Sequence, residues 1–168
     1  MSAPSLLCAG SLGFGLGKSH HSTFDKYQFE ADPKLLRRIA KEMIILLPPE
    51  SQVLAGLELG GVPIATAMSL ETGMPVVFVR KKAKDYGTCQ AVEGGTIRGK
   101  RVVLIEDVIT TGGAVVDAAR LVREAGAEII AVACAIWRGQ GAARIDALPD
   151  IPVFAAMTKA DLTRGDNS

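Results

Sequence analysis

The sequence predicts an α/β fold, with one domain built on a central, mainly parallel sheet flanked by helices. The first observation is the order of the elements: from about residue 32 onward, apolar runs of strand length alternate with helical patterns, as they do in βαβ units. The second is composition, because 168 residues with 48% hydrophobic and 22% charged side chains suit one globular domain with a substantial core. The third is uniformity, since the chain shows neither an internal repeat nor a second domain.

The first half of the chain contains two predicted helices and two predicted strands. Asp32 is placed to cap a helix whose first residue is Pro33, and Pro48-Pro49 ends that helix. Gly60-Gly61 turns the chain from a buried strand into the second helix, which Gly73 closes. The predicted ranges are 34–47 for the first helix, 52–57 for the first strand, 62–71 for the second helix and 75–79 for the next strand.

Regular periodicity stops after residue 80 and resumes after residue 100. Residues 81–100 contain four glycines and many charges, so we expect a long exposed loop or hairpin. Such an excursion inside a compact domain is usually functional or disordered. Beyond it, the pattern predicts strands over 102–107, 128–136 and 153–156, helices over 113–125 and 140–148, and fraying over 163–168.

Charge and cysteine content limit the partners and the location. Nineteen basic against 18 acidic residues give a net charge of +1, which predicts no attraction to nucleic acid or to a membrane surface. The three cysteines are far apart and show no metal-ligand spacing, so we expect reduced thiols and no zinc site. The apolar stretches are too short to span a bilayer, and the N-terminus lacks the regions of a signal peptide. We therefore expect a soluble, cytoplasmic protein.

The most informative segment is residues 102–114, where four apolar residues lead into Glu106-Asp107, a Thr110-Thr111-Gly112-Gly113 turn and a helix start. Carboxylates at the end of a buried strand can accept hydrogen bonds from the vicinal hydroxyls of a sugar. Backbone N–H groups at a helix start, beside threonine hydroxyls, suit a phosphate dianion. The segment therefore predicts a ribose 5-phosphate site, and the alternative is an ordinary strand–turn–helix with an acidic surface turn.

A second candidate lies between the first strand and the second helix, at Glu58, Leu59, Gly60 and Gly61. Two adjacent glycines let backbone amides approach a bound anion closely, and the helix dipole adds a favourable potential. The functional interpretation is a cradle for pyrophosphate. The alternative is a glycine turn that serves tight packing alone.

A third candidate is the cationic run that follows the strand ending at residue 79. Arg80, Lys81, Lys82 and Lys84 come within five residues, and Tyr86 follows. At the entry of a loop, these cations could neutralise charge on departing pyrophosphate, and loop closure would exclude water from a cation-like sugar intermediate. The alternative is a solvated charged face.

Together these three segments resemble the type I phosphoribosyltransferases, which hold 5-phosphoribosyl-1-pyrophosphate (PRPP), over about residues 14–162. Three further stretches are similar to the orotate branch of that family. They are residues 78–87, similar to its mobile catalytic loop; residues 22–26 and 31–36, similar to its base-binding segment; and residues 137–142, where the branch places an arginine against the orotate carboxylate. The resemblance implies the type I phosphoribosyltransferase fold, with an N-terminal hood segment at 1–31 and a mobile catalytic loop at 81–100.

The resemblance also implies a role for each candidate residue around the sugar and its phosphates. Glu106 and Asp107 would contact the ribose hydroxyls, and Asp107 would help stabilise the positive charge that develops on the sugar. The 5-phosphate would be held by Thr110, Thr111, Gly112 and Gly113. The pyrophosphate would lie against Glu58, Leu59, Gly60 and Gly61.

The remaining roles concern the loop, the base and the metal. Arg80, Lys81 and Lys84 would bind pyrophosphate, with Lys84 acting in catalysis from a loop shared with the other subunit of a homodimer. Arg138 would face orotate. Magnesium would arrive on the diphosphate and ribose oxygens, so few direct protein ligands are expected. The implied reaction joins orotate to the anomeric carbon of PRPP, which gives orotidine 5-phosphate and releases pyrophosphate.

Three positions differ from the pattern of the orotate branch. Gly60 lies where some members carry lysine, Tyr86 where a loop histidine is common, and Trp137 where an aspartate usually precedes the arginine. Two alternatives therefore stay open: a phosphoribosyltransferase for another base such as a purine, and a regulator that senses PRPP and binds nucleic acid. Arg138 favours a carboxylated base, because guanidinium binds carboxylate at two points.

Overall fold

The computed structural model describes residues 28–81 and 91–164, and these residues form one six-stranded sheet with helices on both faces. The strands are β1 (Val53–Leu57), β2 (Val76–Val79), β3 (Val92–Glu93), β4 (Arg101–Ile109), β5 (Glu128–Trp137) and β6 (Val153–Thr158). The helices are α1 (Gln28–Ala31), α2 (Pro33–Ile45), α3 (Gly61–Thr72), α4 (Gly113–Glu124) and α5 (Lys159–Arg164).

The strand order is β3-β2-β1-β4-β5-β6, and every pair is parallel except β2 with β3. This confirms the predicted α/β class with its mainly parallel sheet. The chain moves from β1 outward to β2 through α3, and from β4 outward to β5 through α4. The strand order therefore reverses between β1 and β4, which leaves a crevice where their carboxyl ends lie side by side.

Alternate residues of β4 supply two cores, one on each face of the sheet. Val102 and Leu104 pack with α4 and with the chain that follows β5, whereas Val103 and Ile105 pack with α2 and α3. A strand covered on both faces is apolar at successive positions, which is why residues 102–105 read as a continuous apolar run. None of the helices within the described ranges is long and apolar enough to cross a membrane.

The helix starts and stops follow from particular residues. Asp32 caps α2 by accepting hydrogen bonds from the backbone N–H groups of Lys34 (2.8 Å) and Leu35 (3.2 Å), as predicted. The φ of Gly73 is +74°, so the residue after α3 adopts a left-handed conformation that glycine accepts without strain.

One predicted element is wrong: residues 140–148 form successive bends and turns and contain no helix. Ile145, Leu148 and Ile151 are buried three residues apart, which is a spacing that a helix also gives. Separate turns produce that spacing, with the N–H of Leu148 bonded to the Ile145 carbonyl and that of Ile151 to the Leu148 carbonyl. Gly141, with φ +68°, prevents a helix from beginning at residue 140.

The predicted excursion at 81–100 is described only in its second half. Residues 91–100 are attached to the domain, because β3 pairs with β2 and Ile97 is buried. Lys82, Lys84 and Tyr86 lie in the range 82–90, outside the described residues, as do residues 1–27 of the predicted hood segment.

Candidate active site

The candidate site lies at the crevice between β1 and β4. The segment 58–61 connects β1 to α3, and residues 110–112 connect β4 to α4. Since β1 and β4 are parallel neighbours, both connections leave the sheet at the same edge. Two of the three predicted segments are therefore brought together by topology alone.

The acidic pair lies inside β4, two residues before the strand ends, because Val108 and Ile109 continue the pairing with β5. Glu106 is only 7% exposed and Asp107 only 2%. The backbone N–H of Asp107 donates to Glu106 Oε1 at 2.9 Å, and that of Val108 donates to Asp107 Oδ1 at 2.6 Å. Both carboxylates are thus fixed by local backbone donors, which excludes an ordinary exposed acidic turn.

Gly60 brings the first connection into contact with Asp107. A Cβ built on Gly60 would overlap the carboxylate of Asp107 and would lie 2.7 Å from Oε1 of Glu30. A Cβ on Gly61 would overlap the carbonyl oxygen of Ile105. The two glycines are therefore required for the close approach of the 58–61 backbone to β4, whatever else they bind.

Glu30, in the short helix α1, is a residue of this site that the sequence did not indicate. Its Oε1 lies close to Gly60 and therefore within about 5 Å of the Asp107 carboxylate. No motif marks this position, and the contact exists only because α1 lies beside the edge of the sheet.

The turn after β4 has the backbone geometry of a second candidate anion site. Thr110, Thr111 and Gly113 are exposed, and Gly112 has a φ of +82°, a left-handed conformation that suits glycine. The first hydrogen bond of α4 runs from the Val116 N–H to the Gly112 carbonyl. The preceding N–H groups therefore have no partner within the helix, and the helix dipole adds positive potential there.

The two cations nearest β2 are held at the base of the 82–90 segment. The Arg80 N–H donates to the Ala91 carbonyl at 2.9 Å, and its guanidinium lies 4.0 Å from Glu93. The Lys81 N–H donates to Glu58 Oε2 at 3.0 Å. The hydrogen bond from Lys81 joins the base of this segment to the 58–61 connection. Glu58, Arg80 and Lys81 also line a cavity of about 260 Å³ against α4.

Arg138 is exposed and directly follows β5. Its backbone N–H donates to the carbonyl of Ile109 at 2.8 Å, which places it next to the turn after β4. A larger cavity, of about 640 Å³, is lined on one side by that turn and on the other by Trp137, Gly139 and the bends that follow.

Cys134 is the β5 neighbour of Glu106 in the sheet register. Burial raises the pKa of its thiol to about 12, and the nearby charges of Glu106 and Asp107 add to the shift. The residue beside Glu106 on β5 is therefore a neutral thiol. The sequence indicated only a reduced cysteine at this position.

The geometry as a whole suits a ligand with two anionic ends and hydroxyl groups between them. A helix start can bind an anion through its backbone amides, and one lies on each side of the crevice, at 58–61 and at 110–113. The fixed carboxylates of Glu106 and Asp107 lie on β4 just before the second of these helix starts, and Asp107 lies against Gly60 at the first. Both carboxylates can accept hydrogen bonds from hydroxyls.

Comparisons with known proteins agree with this geometry. A family model described as a phosphoribosyl transferase domain matches residues 27–159. The orotate phosphoribosyltransferase of Nocardioides sp. is 56% identical over 146 residues, which cover 87% of this chain and 82% of that protein. A crystal structure of the Mycobacterium tuberculosis H37Rv orotate phosphoribosyltransferase, in complex with Fe(III) dicitrate, has a TM-score of 0.73 at 30% identity, covering 82% of this chain and 81% of that chain. Its complex with 5-phospho-α-D-ribosyl 1-diphosphate has a TM-score of 0.71 at 28% identity, covering 83% and 82%.

Proposed function

The chain belongs to the phosphoribosyltransferase family and, within it, to the orotate phosphoribosyltransferases, and from that membership we propose its reaction and the roles of its residues. The enzyme is a pentosyltransferase that moves the 5-phosphoribosyl group of PRPP to orotate. The products are orotidine 5-phosphate and pyrophosphate, a step of de novo pyrimidine (UMP) biosynthesis.

The observation that carries this proposal is the contact between Gly60 and Asp107 across the crevice. It holds a buried carboxylate beside the 58–61 connection, which supports an arrangement in which pyrophosphate, ribose diol and 5-phosphate follow one another across the crevice. In the proposal, residues 58–61 bind pyrophosphate through backbone amides, Glu106 and Asp107 accept hydrogen bonds from the ribose hydroxyls, and residues 110–113 bind the 5-phosphate.

Catalysis would come from positioning and electrostatics. As the bond to pyrophosphate breaks, positive charge develops on the sugar, and a carboxylate held in a water-poor crevice stabilises such charge more strongly than one in bulk solvent. Asp107, 2% exposed and fixed by the Val108 N–H, is the residue that would supply it. Arg80 and Lys81 would offset the negative charge of the departing pyrophosphate. Lys84 as a catalytic and substrate-binding residue and Tyr86 as a substrate-binding residue, both outside the described residues, are also part of this proposal.

Mg²⁺ belongs to the proposal as an ion carried by PRPP, where it would neutralise part of the diphosphate charge. Carboxylate oxygens are the hard ligands that Mg²⁺ prefers. Glu106 and Asp107 supply such oxygens beside the proposed ribose position, so the residues present fit an ion bound chiefly by the substrate. Within residues 28–81 and 91–164, no three His, Cys, Asp or Glu side chains lie close enough together to hold a metal by themselves.

A homodimer with the 81–100 loop shared between subunits is also part of the proposal. Leu70 on α3 is 83% exposed and Ile45 at the end of α2 is 78% exposed, and α2 packs beside α3. Contiguous exposed apolar patches mark surfaces that another protein covers, and we propose this side of α2 and α3 as the surface to test first. We further propose a cytoplasmic location, with no nucleic-acid or membrane partner.

A pyrophosphate-release assay with PRPP, Mg²⁺ and a panel of bases tests the reaction. We expect turnover with orotate and none with purines. Turnover with a purine alone would assign the enzyme to another base, and tight PRPP binding without turnover on any base would favour the regulator.

Asp107→Asn should lower kcat/KM by about a hundredfold, the loss typical when one preorganised electrostatic group is removed. An unchanged kcat/KM would refute the role of Asp107.

Arg138→Ala tests the base side separately from the sugar side. Loss of a two-point contact with a carboxylate should raise the KM for orotate, while the KM for PRPP stays near its wild-type value. Arg138→Lys keeps the charge but not the fork, so it should recover only part of the loss. Equal changes in both KM values would show that Arg138 is not a base contact.

A further inference from the structure

Trp137 is the single tryptophan of the chain and the last residue of β5, directly before Arg138. It is 4% exposed and packs in the core that α4 covers. The branch pattern has an aspartate at this position, so neither the family resemblance nor the proposed reaction assigns the indole a role.

The indole lies between the phosphate turn (residues 110–113) and the segment that follows Arg138. A Cβ built on Gly139 would overlap Cζ2 of Trp137, and it would lie 2.7 Å from Cε2 of the ring and 3.0 Å from the carbonyl oxygen of Thr110. The ring, the Gly139 backbone and the Thr110 backbone therefore pack with no room for one further methyl group.

A second glycine contact joins the same two segments. A Cβ on Gly112, in the phosphate turn, would lie 2.8 Å from a side-chain carbon of Ile145. Trp137 and Ile145 both line the 640 Å³ cavity together with Thr110 and Thr111. The turn cannot shift without pressing on the segment that follows Arg138, because packed interfaces of this kind do not deform gradually.

The Trp137 ring also carries a buried donor that the described part of the chain leaves without an acceptor. Its Nε1 is buried and has no hydrogen-bond partner within residues 28–81 and 91–164. A buried donor without an acceptor is destabilising, so small movements that bring an acceptor to it are favoured. The carbonyl oxygen of Thr110, which lies near the ring beside Gly139, and an anion bound by the turn are the acceptors that we propose for it.

We propose that Trp137 is a positioning residue that couples the phosphate turn to the base side of the site. A phosphate group bound to residues 110–113 shifts the Thr110 backbone against the indole. The indole contacts Gly139, so it fixes the position of Gly139 and also that of Arg138, which lies between Trp137 and Gly139 in the chain. The inference rests on the proposed function in one respect, namely that the turn binds phosphate and Arg138 binds the base.

The intrinsic fluorescence of Trp137 gives a direct test on the wild-type enzyme. Titration with inorganic phosphate, and separately with PRPP and Mg²⁺, should produce a saturable change in emission, and KCl at equal ionic strength should produce none. Emission that responds to neither phosphate nor PRPP would overturn the proposal. This test does not depend on the base, so a response without orotate turnover would refute the proposed function and leave intact only the link between the turn and the indole.

Trp137→Phe tests the consequence for the base side. It removes the part of the ring that supports Gly139, and we expect the KM for orotate to rise about tenfold while kcat changes less than threefold, since small misplacements of a binding group weaken productive binding. A merely structural role would lower kcat through loss of folded enzyme and leave KM unchanged. Unchanged KM values for both substrates would overturn the proposal.

Two further variants make the result independent of folding. Gly139→Ala keeps the indole but forces it to move. It should therefore shift the emission of the free enzyme, and it should raise the KM for orotate as Trp137→Phe does. Phe154→Leu, a loss of aromatic packing on the opposite face of the sheet, is the matched control and should leave both KM values unchanged. An orotate KM in Gly139→Ala equal to that of wild type would contradict the coupling even if Trp137→Phe failed to fold.

Discussion

Replacing Gly60 by alanine should impair the reaction through a residue 47 positions away in the chain. The new methyl group would overlap the carboxylate of Asp107, and Oε1 of Glu30 would be 2.7 Å from it. Carbon and oxygen need about 3.4 Å, so the Asp107 carboxylate must move by roughly 1 Å. A displacement of that size in a catalytic group costs about a hundredfold in rate, or roughly 3 kcal/mol of transition-state stabilisation.

The assay is orotate-dependent pyrophosphate release, measured as kcat/KM for PRPP in a double-mutant cycle. Gly60→Ala and Asp107→Ala are made singly and together. If the methyl group acts by displacing the carboxylate, then it has little left to displace in the Asp107→Ala enzyme. The double variant should therefore match Asp107→Ala within about threefold, a coupling of more than 2 kcal/mol.

Two results would refute the reasoning. The first is a Gly60→Ala enzyme with kcat/KM within threefold of wild type, which would mean that the 58–61 connection gives way without moving Asp107. The second is additivity in the cycle, which would place the effect on the pyrophosphate cradle itself. Thermal unfolding of each variant separates both results from a loss of folded protein.

Three further predictions concern stability. Gly61→Ala should lower the free energy of unfolding by about 3 kcal/mol, the upper end for overpacking. The reason is that its methyl group would overlap the carbonyl oxygen of Ile105, a backbone atom of a central strand. A loss below 1 kcal/mol in urea denaturation would contradict this. Asp32→Ala should cost about 1 kcal/mol by removing the cap of α2, and Asp32→Asn should restore most of it. Burial raises the pKa of Cys134 from 9.0 to about 12, so the neutral thiol stabilises the fold fully below pH 9. This contribution should be lost as the pH rises toward 12, and the free energy of unfolding should fall by up to about 1.4 kcal/mol per pH unit. Cys134→Ala should flatten that slope in urea denaturation between pH 8 and 10.5, and equal slopes would refute the assignment.

The sheet could be predicted because each central strand is covered on both faces. Residues 102–105 are apolar without interruption, and a polar turn follows, so the strand and its direction are evident from the sequence alone. The predicted end of this strand, β4, is wrong by two residues. The predicted strand stopped at the acidic pair, whereas Val108 and Ile109 continue the ladder with Ile136 and Trp137 of β5. That pairing depends on a partner strand, which local composition does not reveal.

The error at 140–148 has the opposite origin. Successive turns there bury Ile145, Leu148 and Ile151 at the same spacing as a helix does. The backbone of Gly141, at φ +68°, decides between the two, and a glycine in a sequence does not state its φ. The contact of Glu30 with Gly60 was unpredictable for a similar reason, since it joins two segments that share no pattern.

The sequence left two interpretations of Gly60-Gly61 open, a pyrophosphate cradle and a turn required for packing. The structure shows the packing contact, and we propose that the same contact shapes the cradle. The absence of a side chain at Gly60 allows the Asp107 carboxylate to lie against the connection after β1. If Gly60 served packing alone, then its substitution would lower stability and leave the kinetics of the folded fraction unchanged. If it served only to expose an amide to pyrophosphate, then its effect would not depend on Asp107. A kinetic loss that disappears when Asp107 is absent is expected only when the packing contact and the binding site are the same contact, and this is why the cycle, rather than either single variant, is the decisive measurement.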